Sequence, residues 1–422
     1  MKIKAIRARE ILDSRGIPTI ETAVTLDDNS EGVASVPSGT LVGNDEALEL
    51  RDNDLSRFNG MGVLKAVANV DDIIGPKLIG MDAAYQKQID QFLIELDGTP
   101  NKQKLGGNTL LSISQAVLKA SANSFHLPMY NYLAIKYQLN NKTNRLPAPI
   151  FNVINGGKHG TGNLDFQEFH LIPSVRKSYH EALQCGQEIY TSLKKALAYR
   201  GAIHSVGDEG GFAPNLFTNM DALEIIVEAI QTTKYQLAKD VFLGLDAAAG
   251  FFYKNGQYTI KDKAQSFNRD DFIDYYIDLN NQYHLFSLED ALDREDWEGW
   301  RKLTASVGES MLIIGDDLLC TNKKRLMTAI QKKACGAILI KPNQAGTISE
   351  TLEIIQLAKN SGLKIIISHR SGETNDDFIA DFSVGVDADY IKFGAPARGE
   401  RVVKYNRLLK IEEELNSKSV TQ

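Results

Sequence analysis

Ala337-Ile338-Leu339-Ile340-Lys341 is a short apolar run that stops on a lysine, with Pro342 immediately after it. The run is too brief for a helix and too apolar for a surface loop, so it reads as a buried strand that carries a charge to its carboxyl end. Four other runs repeat the arrangement. Residues 242–246 end on Asp246, 285–289 on Glu289, 312–316 on Asp316, and 364–369 on His369 with Arg370 next. The charges sit at strand ends and are not scattered.

Spacing turns this set into geometry. Glu289, Asp316, Lys341, His369 and Lys392 follow one another at separations of 27, 25, 28 and 23 residues, room for one strand and one helix each. Repeated βα units of that length close most simply into a barrel, in which the strand carboxyl ends open on one face. Asp246, Glu289, Asp316, Lys341 and Lys392 are then expected to share one mouth.

Outward from this region the chain divides. At 422 residues it is long enough for two domains. Residues 3–12, 19–26 and 32–36 have strand character, with turn chemistry at Asp13-Ser14-Arg15-Gly16 and Asp27-Asp28-Asn29, which predicts an antiparallel meander. Helical patterns follow over 62–79, 83–96 and 109–124. The polar stretch 138–145, with Pro147 and Pro149 after it, reads as a linker. The barrel half does not start regularly: 148–155 and 166–173 read as two strands without a helix between them, and 179–199 and 219–238 as two helices without a long strand between them. Strict alternation then runs six times. The expected fold is α/β: a small N-terminal α+β domain over 1–137, a linker over 138–146, and a modified eight-stranded barrel of order ββαα(βα)6 over 147–422.

Composition excludes several classes. A formal charge of -7 argues against nucleic acid as the main partner. Cys185, Cys320 and Cys335 have no C-x-x-C spacing, which argues against a disulfide framework or structural zinc and favours a reducing, cytoplasmic location. No leader-like segment and no run of about 18 apolar residues occurs, so no membrane partner is expected. G-x-G-x-x-G, P-loop and H-E-x-x-H patterns are absent.

Three acids converging at strand ends repel one another unless a cation or protons compensate, and an all-oxygen set favours Mg²⁺ over zinc. For any one of them, capping a helix or pairing with an arginine is the plain alternative; three at barrel spacing argue for a cation. Lys341 and Lys392, beside other cations and a desolvating wall, are candidates for a general base, with a salt bridge to the acids as the alternative. Val206 to Pro214 places Asp208 and Glu209 among glycines, a segment able to fold over the mouth and hold a carboxyl group. The runs Asn155-Gly156-Gly157-Lys158-His159 and Ser368-His369-Arg370-Ser371-Gly372-Glu373 mix small residues, cations and hydroxyls in the manner of anion-binding loops.

With these residues in view, the chain resembles the enolase family from Ala8-Arg9-Glu10-Ile11-Leu12-Asp13-Ser14-Arg15-Gly16 to Lys410-Ile411-Glu412-Glu413-Glu414-Leu415, most distinctively over 151–168, 207–215, 289–300, 341–346 and 368–380. The resemblance implies a carbon-oxygen lyase that reversibly dehydrates 2-phosphoglycerate to phosphoenolpyruvate in glycolysis. It implies a first Mg²⁺ on Asp246, Glu289 and Asp316, and Lys341 as the base at carbon 2. Glu209 resembles the acid at the carbon 3 hydroxyl, with Glu168 and His159 beside it. Gln167, Lys392, His369, Arg370 and Ser371 resemble groups that bind the phosphorylated acid. A homodimer is implied, with Glu21 facing Lys410 of the partner subunit, or an octamer built from such dimers.

Departures from the family concern the lid. Where Ser-Gly-Ala-Ser-Thr-Gly is usual, this chain has Ser38-Gly39-Thr40-Leu41-Val42-Gly43. The second serine of the family helps to hold a second Mg²⁺; Leu41 has no side-chain oxygen, so only its backbone carbonyl, or the Thr40 hydroxyl after a one-residue slip, could serve, and a weakened second metal site is expected. Gly160-Thr161-Gly162 replaces Ala-Gly-Asn. Phe393 replaces a threonine and is expected to point away from Lys392. These changes leave two further readings: the same dehydration on a different phospho- or phosphono-acid, as in phosphinate natural-product pathways, and a non-catalytic binding protein of enolase fold.

Overall fold

The computed structural model describes residues 1–39, 45–139, 146–160 and 164–420, with side chains to 417. The expected second-metal residues Thr40 and Leu41, most of the predicted linker, and Thr161 and Gly162 lie outside the described residues.

The N-terminal part is the expected meander: Ile3–Leu12, Pro18–Leu26 and Glu31–Ser35 pair antiparallel in chain order. The helix Gly107–Ser124 packs on this sheet, and Thr22 and Ser112 share a buried hydroxyl hydrogen bond of 2.7 Å. Gly32 permits that approach, since a Cβ there would lie 2.2 Å from the Ala116 carbonyl oxygen. The pattern over 62–79 breaks into Leu64–Ala68, a π-turn at Asn69–Ile74 and Gly75–Leu78, because Pro76 has no N–H to extend the first helix. The helix predicted over 83–96 runs Gln86–Asp97, and a further helix, Met129–Lys136, follows Pro128 where the pattern suggests none.

The second part is a closed barrel of eight strands: Ala148–Asn155, Glu168–Pro173, Val241–Asp246, Leu285–Glu289, Leu312–Gly315, Ala337–Ile340, Lys364–Ser368 and Tyr390–Lys392. They succeed one another around the barrel in chain order, in the order ββαα(βα)6. The expectation that every strand opens its carboxyl end on the mouth is corrected at one place. Glu168–Pro173 runs antiparallel to both neighbours, because no helix carries the chain back after the first strand. Two helices then follow it, Tyr179–Tyr199 and Asn219–Gln231, each opened by a reciprocal capping box, at Ser178 with Glu181 and at Thr218 with Asp221. Glu168 therefore reaches the mouth from the start of its strand.

A small apolar cluster, Ile150, Ile172, Ile314, Leu339 and Ile366 with Ala337, fills the barrel below the mouth. The N-terminal part closes over one side of that mouth. Ser14 N–H donates to the Glu373 carbonyl at 2.7 Å, Ser38 and Gly372 exchange backbone hydrogen bonds at 2.8 and 3.1 Å, and Lys119 pairs with Asp376 at 2.6 Å.

Candidate active site

One cavity at the mouth is lined by His159, Gln167, Glu168, Glu209, Asp316, Lys341, His369, Arg370, Ser371 and Lys392, ten of the residues singled out from sequence. Asp246 and Glu289 lie directly against it through Lys392, whose Nζ is 3.7 Å from Asp246 and 2.8 Å from Glu289. The same ammonium meets Glu168 at 2.9 Å. Burial works against charge on Lys392, but Glu168, Glu289 and Asp246 outweigh it and raise its pKa well above the ordinary lysine value. The alternative of a salt bridge to the acids therefore describes Lys392.

It describes Lys341 as well. Its Nζ donates to Asp316 Oδ2 at 2.5 Å, and its backbone N–H is fixed on Thr321 Oγ1 at 2.9 Å. Burial favours loss of the proton, as expected, yet the Asp316 carboxylate more than offsets this and the pKa rises. The expected easing of deprotonation is thus reversed in this geometry, because Asp316 directs its charge at the lysine.

The acids are crowded. Oxygens of Asp246, Glu289 and Asp290 lie within 4.8 Å of one another, and so do those of Asp290, Asp316 and Asp317, so the expected trio spans two overlapping groups that share Asp290. Burial, only partly offset by Lys392, raises Asp246 to about 7 and Glu289 well above the usual carboxylate range. Asp316 Oδ1 is buried without a hydrogen-bond partner among the described residues. An orphaned carboxylate oxygen beside two carboxylates pushed toward protonation is a donor set suited to a hard divalent cation, and Mg²⁺ fits it. Asp290, which sequence reasoning passed over, is a brace: its carboxylate accepts the Asp316 and Asp317 backbone N–H groups at 3.1 and 2.7 Å, and so aims the Asp316 turn.

Glu209 arrives from the glycine-rich segment, which bridges to the first barrel strand through Phe212 and Ile154, three strands around the barrel from Lys341. Its carboxylate accepts Asn152 Nδ2 at 2.9 Å and Ser371 Oγ at 3.1 Å, and His159 Nδ1 lies 3.4 Å away. His159 also meets Glu168 at 3.1 Å. Burial opposes charge on all three and the two carboxylates repel each other, but Glu209 and Glu168 outweigh burial at His159, Lys392 and His159 outweigh it at Glu168, and His159 foremost outweighs it at Glu209. His159 is raised to about 10, while Glu168 and Glu209 are held well below the usual carboxylate range. Arg370, on the opposite flank, directs Nη1 at Glu46 and Asn343, each at 3.3 Å.

Two family models account for nearly the whole chain. The enolase N-terminal domain matches residues 3–133, and the enolase C-terminal TIM barrel domain matches 143–422. The chain belongs to the enolase family. It is accordingly a lyase of the enolase superfamily, and the site above lies in its barrel domain.

Sequence reasoning missed a second group in this enolase-family site. At the start of the last helix, Gly399–Val420, the cations Arg398, Arg401 and Lys404 fall three residues apart on one face. Arg398 donates to the Gly207 and Ser14 carbonyls at 3.1 and 3.0 Å, and Lys404 to the Thr374 carbonyl at 2.9 Å. Arg401, fully buried, donates to the Asp208, Arg370 and Ser371 carbonyls and so bridges the segment bearing Glu209 and the loop that follows the seventh barrel strand. A helix N-terminus disfavours cations, so three of them there were the available signal. Phe393 behaves as expected: it is buried with its ring 6.0 Å from that of Tyr405 in the same helix.

Proposed function

We propose that the protein reversibly dehydrates 2-phosphoglycerate to phosphoenolpyruvate, as a cytoplasmic, glycolytic enzyme with residues 1–137 as lid and dimerisation domain, 138–146 as linker and 147–422 as catalytic barrel. One observation carries this reading: a single cavity holds a lysine, a carboxylate–imidazole set three strands away, and an Arg-Ser pair, above an all-oxygen acidic floor. Removing a proton next to a carboxylate builds a second negative charge on the substrate, and only concentrated positive charge stabilises it.

Lys341 takes the carbon 2 proton in its neutral amine form, so it first gives up the proton that it holds against Asp316 in the substrate-free geometry. Lys392 and Gln167 lie on the carboxylate side, where Gln167 Nε2 donates to Asp246 at 3.2 Å. Arg370 and Ser371 supply a forked donor and a hydroxyl for phosphate. The proton for the departing carbon 3 hydroxyl is held by the His159–Glu209–Glu168 set, with His159 the protonated member in the substrate-free geometry. His369 completes that side. Asp246, Glu289 and Asp316 would hold Mg²⁺, which supplies positive charge beside the substrate carboxylate when bound. A second Mg²⁺ would fall to Thr40 or the Leu41 carbonyl.

The test is phosphoenolpyruvate formation from 2-phosphoglycerate, followed by absorbance across a Mg²⁺ titration. Turnover of about 10 per second or more supports the reading. Folded, Mg²⁺-binding protein without turnover refutes it. The altered lid run Thr40-Leu41 favours a second reading, the same elimination on a phosphono- or other phospho-acid, and such acids are the next substrates to assay.

A further inference from the structure

His369 and His159 face the same carboxylate, and their surroundings differ. His369 is 2% exposed, and its Nε2 lies 3.6 Å from Glu209 Oε2 with no hydrogen-bond partner among the described residues. Its other nitrogen is engaged from behind: Arg401 Nη1 stands 2.7 Å from His369 Nδ1. A guanidinium has donors only and keeps its charge at any ordinary pH. Nδ1 must therefore accept, which leaves the ring proton on Nε2, on the side of Glu209, itself a lining residue of the cavity.

The same guanidinium fixes the ring's frame. Arg401 Nη1 also donates to the Arg370 carbonyl at 2.6 Å, and Nη2 to the Ser371 and Asp208 carbonyls at 2.7 and 2.8 Å. One buried side chain thus ties the segment bearing Glu209 to the segment bearing His369, Arg370 and Ser371.

We propose that Arg401 is a positioning residue that locks His369 as a neutral imidazole with its Nε2–H aimed into the cavity as a hydrogen-bond donor to a substrate oxygen. Two imidazoles on one carboxylate then divide the work: His159 stores a proton, and His369 donates a hydrogen bond without storing one. The charged groups around His369 are Glu209 from the glycine-rich segment, Glu168 from the second strand and Arg401 from the last helix. Burial, reinforced by Arg401 and only partly offset by Glu209, lowers the His369 pKa. The catalytic part of this inference rests on the dehydration reading; the tautomer does not.

The experiment is ¹⁵N-histidine labelling of the full-length protein, with long-range ¹⁵N–¹H correlation spectra recorded between pH 5 and 9 on wild type, Arg401→Lys and Arg401→Met. Wild type is expected to show His369 in the Nε2–H form throughout. In Arg401→Met the ring should titrate at least about one pH unit higher and kcat should fall about 10²-fold, with the acid limb of the kcat profile moved to match. Arg401→Lys, which keeps a cationic donor, should restore both in part. An Nδ1–H tautomer or an imidazolium at pH 7 in wild type overturns the proposal even if Arg401→Met does not fold. So does an Arg401→Met protein whose His369 titrates as in wild type. Wild type with the Nε2–H form but no turnover of 2-phosphoglycerate would overturn the proposed substrate and leave the role of Arg401 standing.

Discussion

Lys341 Nζ lies 2.5 Å from Asp316 Oδ2, so the residue proposed as the base is also the counter-ion of an acid proposed to hold Mg²⁺. Removing that lysine takes away the only proposed acceptor for the carbon 2 proton. Lys341→Ala should slow exchange of that proton with D₂O by about 10²–10⁴-fold, the usual range for a lost general base. The readout is deuterium appearing at carbon 2 of 2-phosphoglycerate. Exchange at the wild-type rate would remove Lys341 from the role.

Lys392 is the cation that makes the substrate-free acid cluster tolerable, touching Glu168, Asp246 and Glu289 at once. Lys392→Met leaves buried carboxylates without their partner, which typically costs about 3–5 kcal/mol. If Asp246 and Glu289 hold Mg²⁺, saturating Mg²⁺ should recover much of that loss. Urea unfolding with and without Mg²⁺ reads this out, and equal losses in the two conditions would count against a cation among these acids.

His159 sets a pH dependence whose sign is fixed by its surroundings. Its pKa is raised to about 10, from an unfolded value of 6.5, because Glu209 and Glu168 outweigh burial. The folded form then binds the proton more tightly than the unfolded chain. This stabilisation is complete below pH 6.5, decays as pH rises toward 10, and is gone above it. The stability difference between wild type and His159→Gln should shrink steadily from pH 6.5 to 10 in urea melts. A difference that stays constant over that range would show that the imidazolium does not contribute.

Much of this was legible because strand-end charges follow barrel spacing: Asp246, Glu289, Asp316, Lys341 and Lys392 come together in space as the separations require. Periodicity does not report strand direction, so the entry of Glu168 from the start of its strand was not legible, although the missing helix after the first strand was the clue. Nor does a single sequence show that Asp290 braces the Asp316 turn, since two adjacent acids read alike until burial and backbone donors separate them. Arg401 escaped because its partners are carbonyls and a histidine 30 or more residues upstream, contacts that exist only once the last helix has docked. The lysine proton affinity follows the alternative reading, the salt bridge to the acids, for both Lys341 and Lys392, because spacing along the chain does not report which charge lies nearest to each ammonium.

Gly394 is the close-approach point between the last strand and the Glu209 segment. It has φ +88°, and a Cβ there would meet the Glu209 carbonyl oxygen at 2.5 Å and His369 Cε1 at 3.0 Å. Gly362, with φ +79° and nothing within 4 Å of its would-be Cβ, is the matched control for backbone strain alone. Both alanine variants should lose about 1 kcal/mol or more from the left-handed backbone. Only Gly394→Ala should add a fall in kcat, because only it displaces the acid-side residues. Thermal melts and turnover measured side by side decide this, and equal kcat in the two variants would show that the contact is slack.

Glu21 is proposed to face Lys410 of the partner subunit in a homodimer. Within the protomer it already accepts Arg9 Nε at 2.6 Å and Ser35 Oγ at 2.8 Å, while its side chain keeps 18% of its exposure and Arg9 keeps 73%. The intramolecular pair is therefore partly solvated, and such pairs contribute at most about 1 kcal/mol, so Glu21 can exchange or share its partner at small cost. Lys410 lies on an exposed part of the last helix. Sedimentation at micromolar concentration should give a dimer, and Lys410→Glu, which sets two carboxylates against each other across the interface, should shift the equilibrium toward monomer. Glu21→Lys combined with Lys410→Glu should restore the dimer by reversing both charges. A wild-type monomer would sink the assembly, and a dimer unaffected by Lys410→Glu would place its interface elsewhere.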